Sequence, residues 1–215
     1  MVTATTTRFP VAGTELEGDL HLPRNAHGVV AFAHGSGSTR HSPRNRRVAA
    51  ELNRRGLGTL LVDLLTHEEE VDDVHTSHLR FDIGLLAERL IGLVDWLAVQ
   101  PQTRSLPVGL FGASTGAAAA LVAAAARPDE VHAVVSRGGR PDLAGPALVE
   151  VKAPTLLIVG ERDFPVAELN EQARDAMTAD AQLRIVPGAS HLFEEAGTLD
   201  TVAEEAGTWF ATHLR

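Results

Sequence analysis

Short apolar runs alternate with longer helical segments through most of this chain, and this alternation constrains the fold more than any other feature. Each run has the length and the apolar composition of a strand buried on both faces. The predicted strands are 29–33, 57–62, 107–111, 131–136, 155–159 and 182–186. The predicted helices are 43–55, 79–99, 115–126, 166–178 and 198–213. Such an order predicts an α/β fold, with a mostly parallel sheet and helices on both of its faces.

Two segments depart from the alternation. Residues 6–11 and 16–22 flank a Gly13-Thr14 turn, which predicts an antiparallel hairpin ahead of the parallel strands. Residues 66–77 are polar and acidic, so we interpret them as a surface loop. No repeat or linker divides the chain, and residues 1–215 are expected to form a single domain.

Composition excludes several classes of protein. Asp and Glu outnumber Lys and Arg by 28 to 19, and the resulting net charge of −9 argues against a dedicated nucleic-acid binder. Because cysteine is absent, a disulfide scaffold, a thiolate metal site and a cysteine nucleophile are excluded. The N-terminus lacks signal-peptide features, and the most apolar stretch, 117–126, is shorter than the roughly 20 residues of a membrane span. We therefore expect a cytoplasmic protein with no nucleic-acid or membrane partner, no metal and no cofactor.

The strongest chemical motif follows the predicted strand 107–111. Parallel sheets bind ligands at the carboxyl ends of their strands, so residues in this position are where chemistry is expected. Gly112-Ala113-Ser114-Thr115-Gly116 matches the G-x-S-x-G nucleophile elbow, in which a tight turn projects the serine hydroxyl above the sheet. A glycine-rich turn with a helix-capping serine is the alternative. The strand before the motif and the Ala-rich helix after it favour Ser114 as a nucleophile.

A serine nucleophile needs a base, and in this motif class the base is a histidine late in the chain. His191 follows the strand 182–186 in a loop before the last helix, which is the expected position. The two other histidines after Ser114 fit less well, since His132 begins a strand and His213 lies two residues from the C-terminus. His191 is therefore the predicted base.

The base in turn needs an acid that orients it. Asp163 follows the strand 155–159 and precedes a helix, so it could serve as the acid or only as a helix cap. Glu161 is the reserve candidate, and Asp142 is a weaker alternative. We predict that Asp163 orients the histidine.

An oxyanion hole needs two N–H donors. One is expected from Thr115, directly after the nucleophile. The other is expected from Ser36, in the glycine-rich loop after strand 29–33, with Gly35 or Gly37 as alternatives. His34 could be a second base, but we expect it to support this loop by hydrogen bonding.

The segments HGSG at 34–37, GASTG at 112–116, GERD at 160–163 and GASHLF at 188–193 together resemble an α/β-hydrolase, particularly the dienelactone-hydrolase-like branch. The resemblance implies an eight-stranded sheet with an antiparallel second strand, and Ser114, Asp163 and His191 as the catalytic triad. Dienelactone hydrolase itself uses a cysteine, so the serine here favours ordinary ester chemistry. Residues 36–46, 80–90 and 136–143 resemble a bacterial subgroup whose members are sometimes fused to phosphoribosyltransferase domains.

Two features bear on the substrate. Lids of this fold are usually inserted where residues 137–152 lie, and that segment is too short for a cap domain, so we expect a shallow, open site. Arg137 lies at a strand end and Arg40 lies in an arginine cluster after the oxyanion loop, and arginine forks bind carboxylates and phosphates. With His34 and Gly35, these arginines are the candidate substrate-binding residues. The alternative, which the net negative charge favours, is that the arginines pair with the acidic residues 68–73.

These observations together predict a serine carboxylesterase that cleaves small or exposed esters through an acyl-enzyme. A thioesterase, an acyltransferase, a small-amide hydrolase or a dienelactone-type hydrolase would use the same triad. A non-catalytic binding module on a hydrolase scaffold is the alternative from another class. The expected partner is a small-molecule ester, and the expected assembly is a monomer or a homodimer.

Overall fold

The protein, as a computed structural model, is described over residues 5–215 and is built on one eight-stranded sheet. The strands are β1 (Thr5–Val11), β2 (Thr14–His21), β3 (Val29–Ala33), β4 (Gly58–Val62), β5 (Val108–Ala113), β6 (Val131–Arg137), β7 (Thr155–Gly160) and β8 (Ala181–Val186). The α-helices are α1 (Pro43–Arg54), α2 (His67–Thr76), α3 (Ile83–Val99), α4 (Thr115–Ala126), α5 (Phe164–Ala176) and α6 (Thr198–His213).

The strand order across the sheet is β1-β2-β4-β3-β5-β6-β7-β8. β2 is antiparallel to both of its neighbours, and every other described pair is parallel. The predicted hairpin is therefore present, with its turn at Ala12-Gly13, where both residues have positive φ. The α/β class, the mostly parallel sheet and the eight strands are all confirmed.

Successive residues of a strand face opposite sides of the sheet, and β3 shows how this builds two cores. Val29 and Ala31 pack with the apolar residues of α3, α4 and α5, whereas Val30 and Phe32 pack with those of α1 and α6. All five residues of β3 are buried. The helices thus form a layer on each face and leave the carboxyl edge of the strands as the open edge.

The prediction of a surface loop at 66–77 is wrong, because these residues form α2. Thr66 begins the helix with a capping box, in which its hydroxyl accepts the Glu69 N–H and the Glu69 carboxylate accepts the Thr66 N–H. The helix predicted over 79–99 begins only at Ile83, because a capping residue starts it there. Asp82 caps α3 by accepting the Leu85 N–H at 3.0 Å, and Leu79–Phe81 forms a separate 3-10 turn.

The segment between β6 and β7 contains only short 3-10 turns. They span Pro141–Glu150 and are interrupted at Gly145, which has a φ of 52°. This segment forms no cap domain over the sheet, as the sequence predicted. No helix in the described range 5–215 has the length and hydrophobicity to cross a membrane.

Candidate active site

Ser114 occupies the turn between β5 and α4 in a strained backbone conformation. Its φ is 50° and its ψ is −121°, values that a residue other than glycine adopts only when the surrounding structure imposes them. Two close approaches explain the glycines on either side. A Cβ on Gly112 would lie 2.4 Å from Ala117 Cα, and a Cβ on Gly116 would lie 2.3 Å from the Ala33 carbonyl oxygen. The turn therefore needs glycine at both positions, as the elbow motif requires.

Asp163 and His191 meet at the carboxyl ends of β7 and β8. The His191 Nδ1 lies 2.6 Å from the Asp163 Oδ2, a short, charge-assisted hydrogen-bond distance. Asp163 stands at the N-cap position of α5, yet its side chain caps no backbone N–H there. Its carboxylate is thus used to hold the histidine and not to cap the helix.

The reserve acids are engaged elsewhere. Glu161 accepts the Gly188 N–H at 2.7 Å, and Asp142 pairs with Arg140 at 2.7 Å. Neither contact involves the imidazole of His191. Asp163 is therefore the acid that this structure places against the histidine.

The residues at the end of β6 contact both the nucleophile turn and the imidazole. The Ser114 N–H donates to the Arg137 carbonyl (3.2 Å), and a Cβ on the next residue, Gly138, would lie 3.5 Å from two ring atoms of His191. Within residues 5–215 no direct hydrogen bond joins the Ser114 hydroxyl to His191. Such bonds are often long in unliganded sites and tighten when substrate binds. With Nδ1 bound to Asp163, Nε2 is the ring nitrogen left for proton transfer.

The predicted oxyanion loop packs directly on the nucleophile. A Cβ on Gly35 would lie 3.0 Å from Ser114 Cβ and 3.1 Å from the Ala113 carbonyl oxygen, so a larger residue here would press on the nucleophile turn. The Ser36 N–H donates to the Thr115 hydroxyl at 3.0 Å, which directs it toward the N-terminus of α4. Thr115 thus offers a hydroxyl beside the nucleophile as well as the backbone N–H that the sequence predicted.

His34 supports this loop through both ring nitrogens. Its Nε2 accepts the Leu64 N–H at 3.1 Å, and its Nδ1 lies 3.0 Å from the Gly35 carbonyl oxygen. This pattern assigns the proton to Nδ1. Burial lowers the pKa of His34, so the ring stays neutral at neutral pH. The histidine therefore ties the loop to the end of β4, and no nitrogen is left to act as a second base.

Over the described residues 5–215, the arginines of the cluster (Arg40, Arg44, Arg46 and Arg47) form ion pairs, but their partners are not residues 68–73, so the predicted partners are wrong. The Arg40 guanidinium binds the Asp63 carboxylate and, at 2.9 Å, Glu17. Two acids of α2 pair instead with arginines that follow it in the chain. These pairs are Glu69–Arg89 and Asp73–Arg80. The remaining ion pairs of the cluster are Arg44–Glu194, Arg46–Asp19 and Arg47–Asp200.

A cavity of about 320 Å³ lies beside the oxyanion loop and under α2. Its wall includes the apolar Leu65, Val74 and Leu86 together with the charged Glu70, Asp73 and Arg80. The sequence reasoning missed this wall because it treated α2 as a loop. The Thr66-His67-Glu68-Glu69 pattern of the capping box was the signal that could have found it.

A strained serine on a strand–helix elbow, an Asp–His pair at neighbouring strand ends and the strand order together define an α/β-hydrolase fold. The sequence model of the dienelactone hydrolase family matches residues 16–211, and this chain belongs to that family. Dienelactone hydrolase from Anabaena variabilis, known from a crystal structure, is 58% identical in sequence to this chain. The two structures superpose with a TM-score of 0.98, and the match covers 99% of each chain.

Two other proteins are similar to this chain, one in sequence and one in fold alone. A Mycobacterium tuberculosis protein provisionally named a phosphoribosyl transferase is 59% identical over 205 residues, which are 95% of this chain and 45% of that protein. The chain thus spans about half the length of the curated relatives that it matches. Est1E from Butyrivibrio proteoclasticus shares the fold, with a TM-score of 0.82 at 16% identity over 98% of this chain and 99% of that one.

Proposed function

We propose that this protein is a serine hydrolase that cleaves carboxylic esters. The observation that carries the proposal is the 2.6 Å contact between Asp163 and His191, at the same sheet edge as the strained Ser114. If Asp163 only capped a helix and His191 only lay in a surface loop, neither their short contact nor their position at the same sheet edge as Ser114 would be required. Family membership supports a hydrolase, and the serine in place of a cysteine supports ester chemistry.

The proposed reaction passes through an acyl-enzyme. The Ser114 Oγ attacks the ester carbonyl carbon while His191 Nε2 takes the hydroxyl proton. Asp163 holds the ring with its proton on Nδ1 and stabilises the imidazolium that forms. The protonated ring then gives its proton to the leaving alkoxide, and the carbonyl re-forms as the acyl-serine. Water, deprotonated by the same nitrogen, attacks the acyl group and releases the acid and the free serine.

The N–H groups of Thr115 and Ser36 are the proposed oxyanion donors. The Ser36 N–H points at the Thr115 hydroxyl, so it lies close to the turn from which the serine projects. This N–H serves an oxyanion when it exchanges the Thr115 hydroxyl for the substrate oxygen. Both donors are backbone groups, Thr115 in the first turn of α4 and Ser36 in the loop after β3 that His34 holds to Leu64.

The proposed substrates are small or exposed esters. The cavity under α2 has space for a short acyl or alcohol group, and its Leu65, Val74 and Leu86 wall suits an apolar one. The His191 side chain is 39% exposed, which fits a site open to bulk water. The provisional name of the longer mycobacterial relative is not carried over to this chain, because the match covers only 45% of that protein.

The test is a rate panel with p-nitrophenyl acetate, butyrate and octanoate on the wild type and on Ser114→Ala. We expect the short esters to be preferred, and the variant to lose turnover by about three or more orders of magnitude. Labelling of the wild type by a fluorophosphonate, absent in Ser114→Ala, would locate the nucleophile. Equal turnover by the two proteins would refute the proposal. Thioester turnover without ester turnover would favour a thioesterase, which would form the same acyl-enzyme.

A further inference from the structure

His191 lies in the loop that connects β8 to α6, so the position of its imidazole depends on a segment that is neither helix nor strand. The first part of this loop is fastened to the end of β7. The Arg162 N–H donates to the Ala189 carbonyl oxygen at 2.9 Å, and a Cβ on Gly160 would lie 2.4 Å from the same oxygen. The part that carries the base begins at the next residue, Ser190, and a second set of contacts holds it.

The backbone turns sharply at the base. The Phe193 N–H donates to the Ser190 carbonyl at 3.2 Å, so these residues enclose a β-turn that contains His191. Phe193 has a φ of 56°, a left-handed conformation that is rare for an aromatic residue. Its ring is 2% exposed and packs in the core formed with α1 and α6. A strained backbone of this kind keeps its conformation only where surrounding contacts impose it.

Glu195 makes one of these contacts. Its Oε2 accepts the N–H of Ser190, the residue directly before the base, at 3.0 Å. This N–H lowers the pKa of the Glu195 carboxyl below its ordinary 4.5, and the Glu195 N–H, the Ser190 hydroxyl and the Arg162 charge lower it further. The group is therefore a carboxylate at neutral pH, and its bond to Ser190 is charge-assisted.

The backbone of Glu195 is itself held at the start of α6. Its carbonyl oxygen accepts the Thr198 N–H at 3.1 Å and the Thr198 hydroxyl at 2.7 Å. Thr198 is the first residue of α6 and is 7% exposed. The helix packs in the same core as the Phe193 ring. The carboxylate therefore reaches the turn from a backbone that is anchored on a packed helix.

The neighbouring acids make different contacts. Glu194 is 65% exposed, and its ion pair is with Arg44 at 3.7 Å. Within residues 5–215 its carboxylate accepts no hydrogen bond from the loop. Glu161 accepts the Gly188 N–H at 2.7 Å, three residues before the base. Among these three acids, Glu195 is therefore the one that binds the backbone next to the base.

We propose that Glu195 is a positioning residue, which binds the Ser190 N–H and thereby holds the His191 turn where the imidazole meets Asp163. The inference rests on the proposed function, because the histidine acts as the base of that reaction. Without the carboxylate, the strained turn loses the bond next to the base. A displacement of about 1 Å in a catalytic group costs about 100-fold in rate.

The first test compares two variants that remove the same charge. Glu195→Ala also removes the acceptor, whereas Glu195→Gln keeps a side-chain oxygen that can accept the Ser190 N–H. With p-nitrophenyl butyrate, we expect Glu195→Ala to lower kcat by about 10- to 100-fold and to leave KM within about twofold. Glu195→Gln should stay within about threefold of the wild type. Glu194→Ala is the matched control, because it removes one charge from the adjacent residue without touching the turn, and it should keep the wild-type rate.

The second test reads the imidazole directly. Nitrogen-15 NMR of the histidine rings in alkaline buffer reports which ring nitrogen carries the proton, and His191→Gln assigns the signals. In the wild type, Glu195→Gln and Glu194→Ala, we expect the proton on Nδ1, where Asp163 holds it. Glu195→Ala should show a mixture of the two tautomers well below its unfolding midpoint. A role in stability alone would lower the midpoint and leave the tautomer of the folded protein unchanged.

Two results would overturn the proposal. One is a Glu195→Ala variant with the wild-type kcat and tautomer, and the other is an equal loss in Glu195→Ala and Glu195→Gln, which would indicate an effect of charge. If Glu195→Ala does not fold, Glu195→Asp replaces it, because it keeps the charge but shortens the reach to Ser190. If no ester shows Ser114-dependent turnover, the proposed function fails separately. The tautomer of His191 in the variants then still decides whether Glu195 positions the ring.

Discussion

Gly116 packs against the end of β3 so closely that adding one methyl group there should lower both the stability and the activity of the protein. In Gly116→Ala, the new Cβ would lie 2.3 Å from the Ala33 carbonyl oxygen, 2.5 Å from the His34 carbonyl oxygen and 2.7 Å from Ala33 C. All three atoms are backbone, so no side-chain rotation can relieve the overlap. A carbon and an oxygen normally approach no closer than about 3.3 Å. The start of α4 and the oxyanion loop must therefore separate by roughly 0.8–1.0 Å.

This separation predicts losses in both stability and rate. Overpacking costs about 1–3 kcal/mol, and the rigid partners here favour the upper end, about 3 kcal/mol. For a domain of this size that free energy corresponds to a fall in Tm of roughly 6–12 °C. The loop that moves also carries the Ser36 N–H, and a displacement of about 1 Å in a catalytic group costs about 100-fold in rate.

The assay is urea unfolding followed by circular dichroism, together with kcat/KM for p-nitrophenyl butyrate. Gly13→Ala is the control, because Gly13 has a φ of +76° and no atom within 4 Å of the added Cβ. It lies in the β1–β2 turn, so it should lose about 1–2 kcal/mol from backbone strain with no change in kcat/KM. The reasoning is refuted if Gly116→Ala keeps the wild-type midpoint and rate. It is refuted equally if both variants lose the same rate.

Two further predictions concern charged groups. Asp163→Asn should lower kcat/KM by about 10⁴-fold, because an amide would favour the wrong tautomer of His191, and the unfolding midpoint should change little by comparison; a loss below tenfold would contradict the assigned role. The hydrogen bond from Arg89 lowers the pKa of Glu69 from its ordinary 4.5, so this carboxylate stabilises the fold above about pH 4.5 and loses that contribution as the pH falls through its folded pKa. The free energy of unfolding should therefore fall less steeply between about pH 5 and pH 3 in Glu69→Gln than in the wild type, and equal slopes in urea titrations would contradict this.

Much of the fold and of the candidate site was accessible from the sequence, because the determining interactions are local. The elbow glycines and Ser114 occur within five consecutive residues, and the steric reason for them lies in that one turn. The hairpin depends in the same way on the turn at Gly13. Asp163 and His191 could be proposed because the carboxyl ends of parallel strands lie at one edge of the sheet.

The errors occurred where a local pattern was overlooked or where partners are distant in sequence. The acidic composition of residues 66–77 outweighed the capping box in the prediction, although the box decides the structure of α2. The arginine pairings could not be predicted, since Arg40 binds Glu17 and Asp63, each 23 residues away. Charge composition states how many acids are present, but it does not state which of them face a given arginine.

The sequence by itself determined the order of strands and helices, the elbow at Ser114 and the positions of the residues that follow each strand. These properties depend on side-chain periodicity and on turns of a few residues, so they are contained in short stretches of chain. Only the tertiary structure decided that Asp163 holds His191 and does not cap α5, that α2 encloses a cavity, and that Arg137 is buried at the end of β6. Each of these facts depends on which distant groups share a small volume, and that is set when the sheet brings its strand ends together.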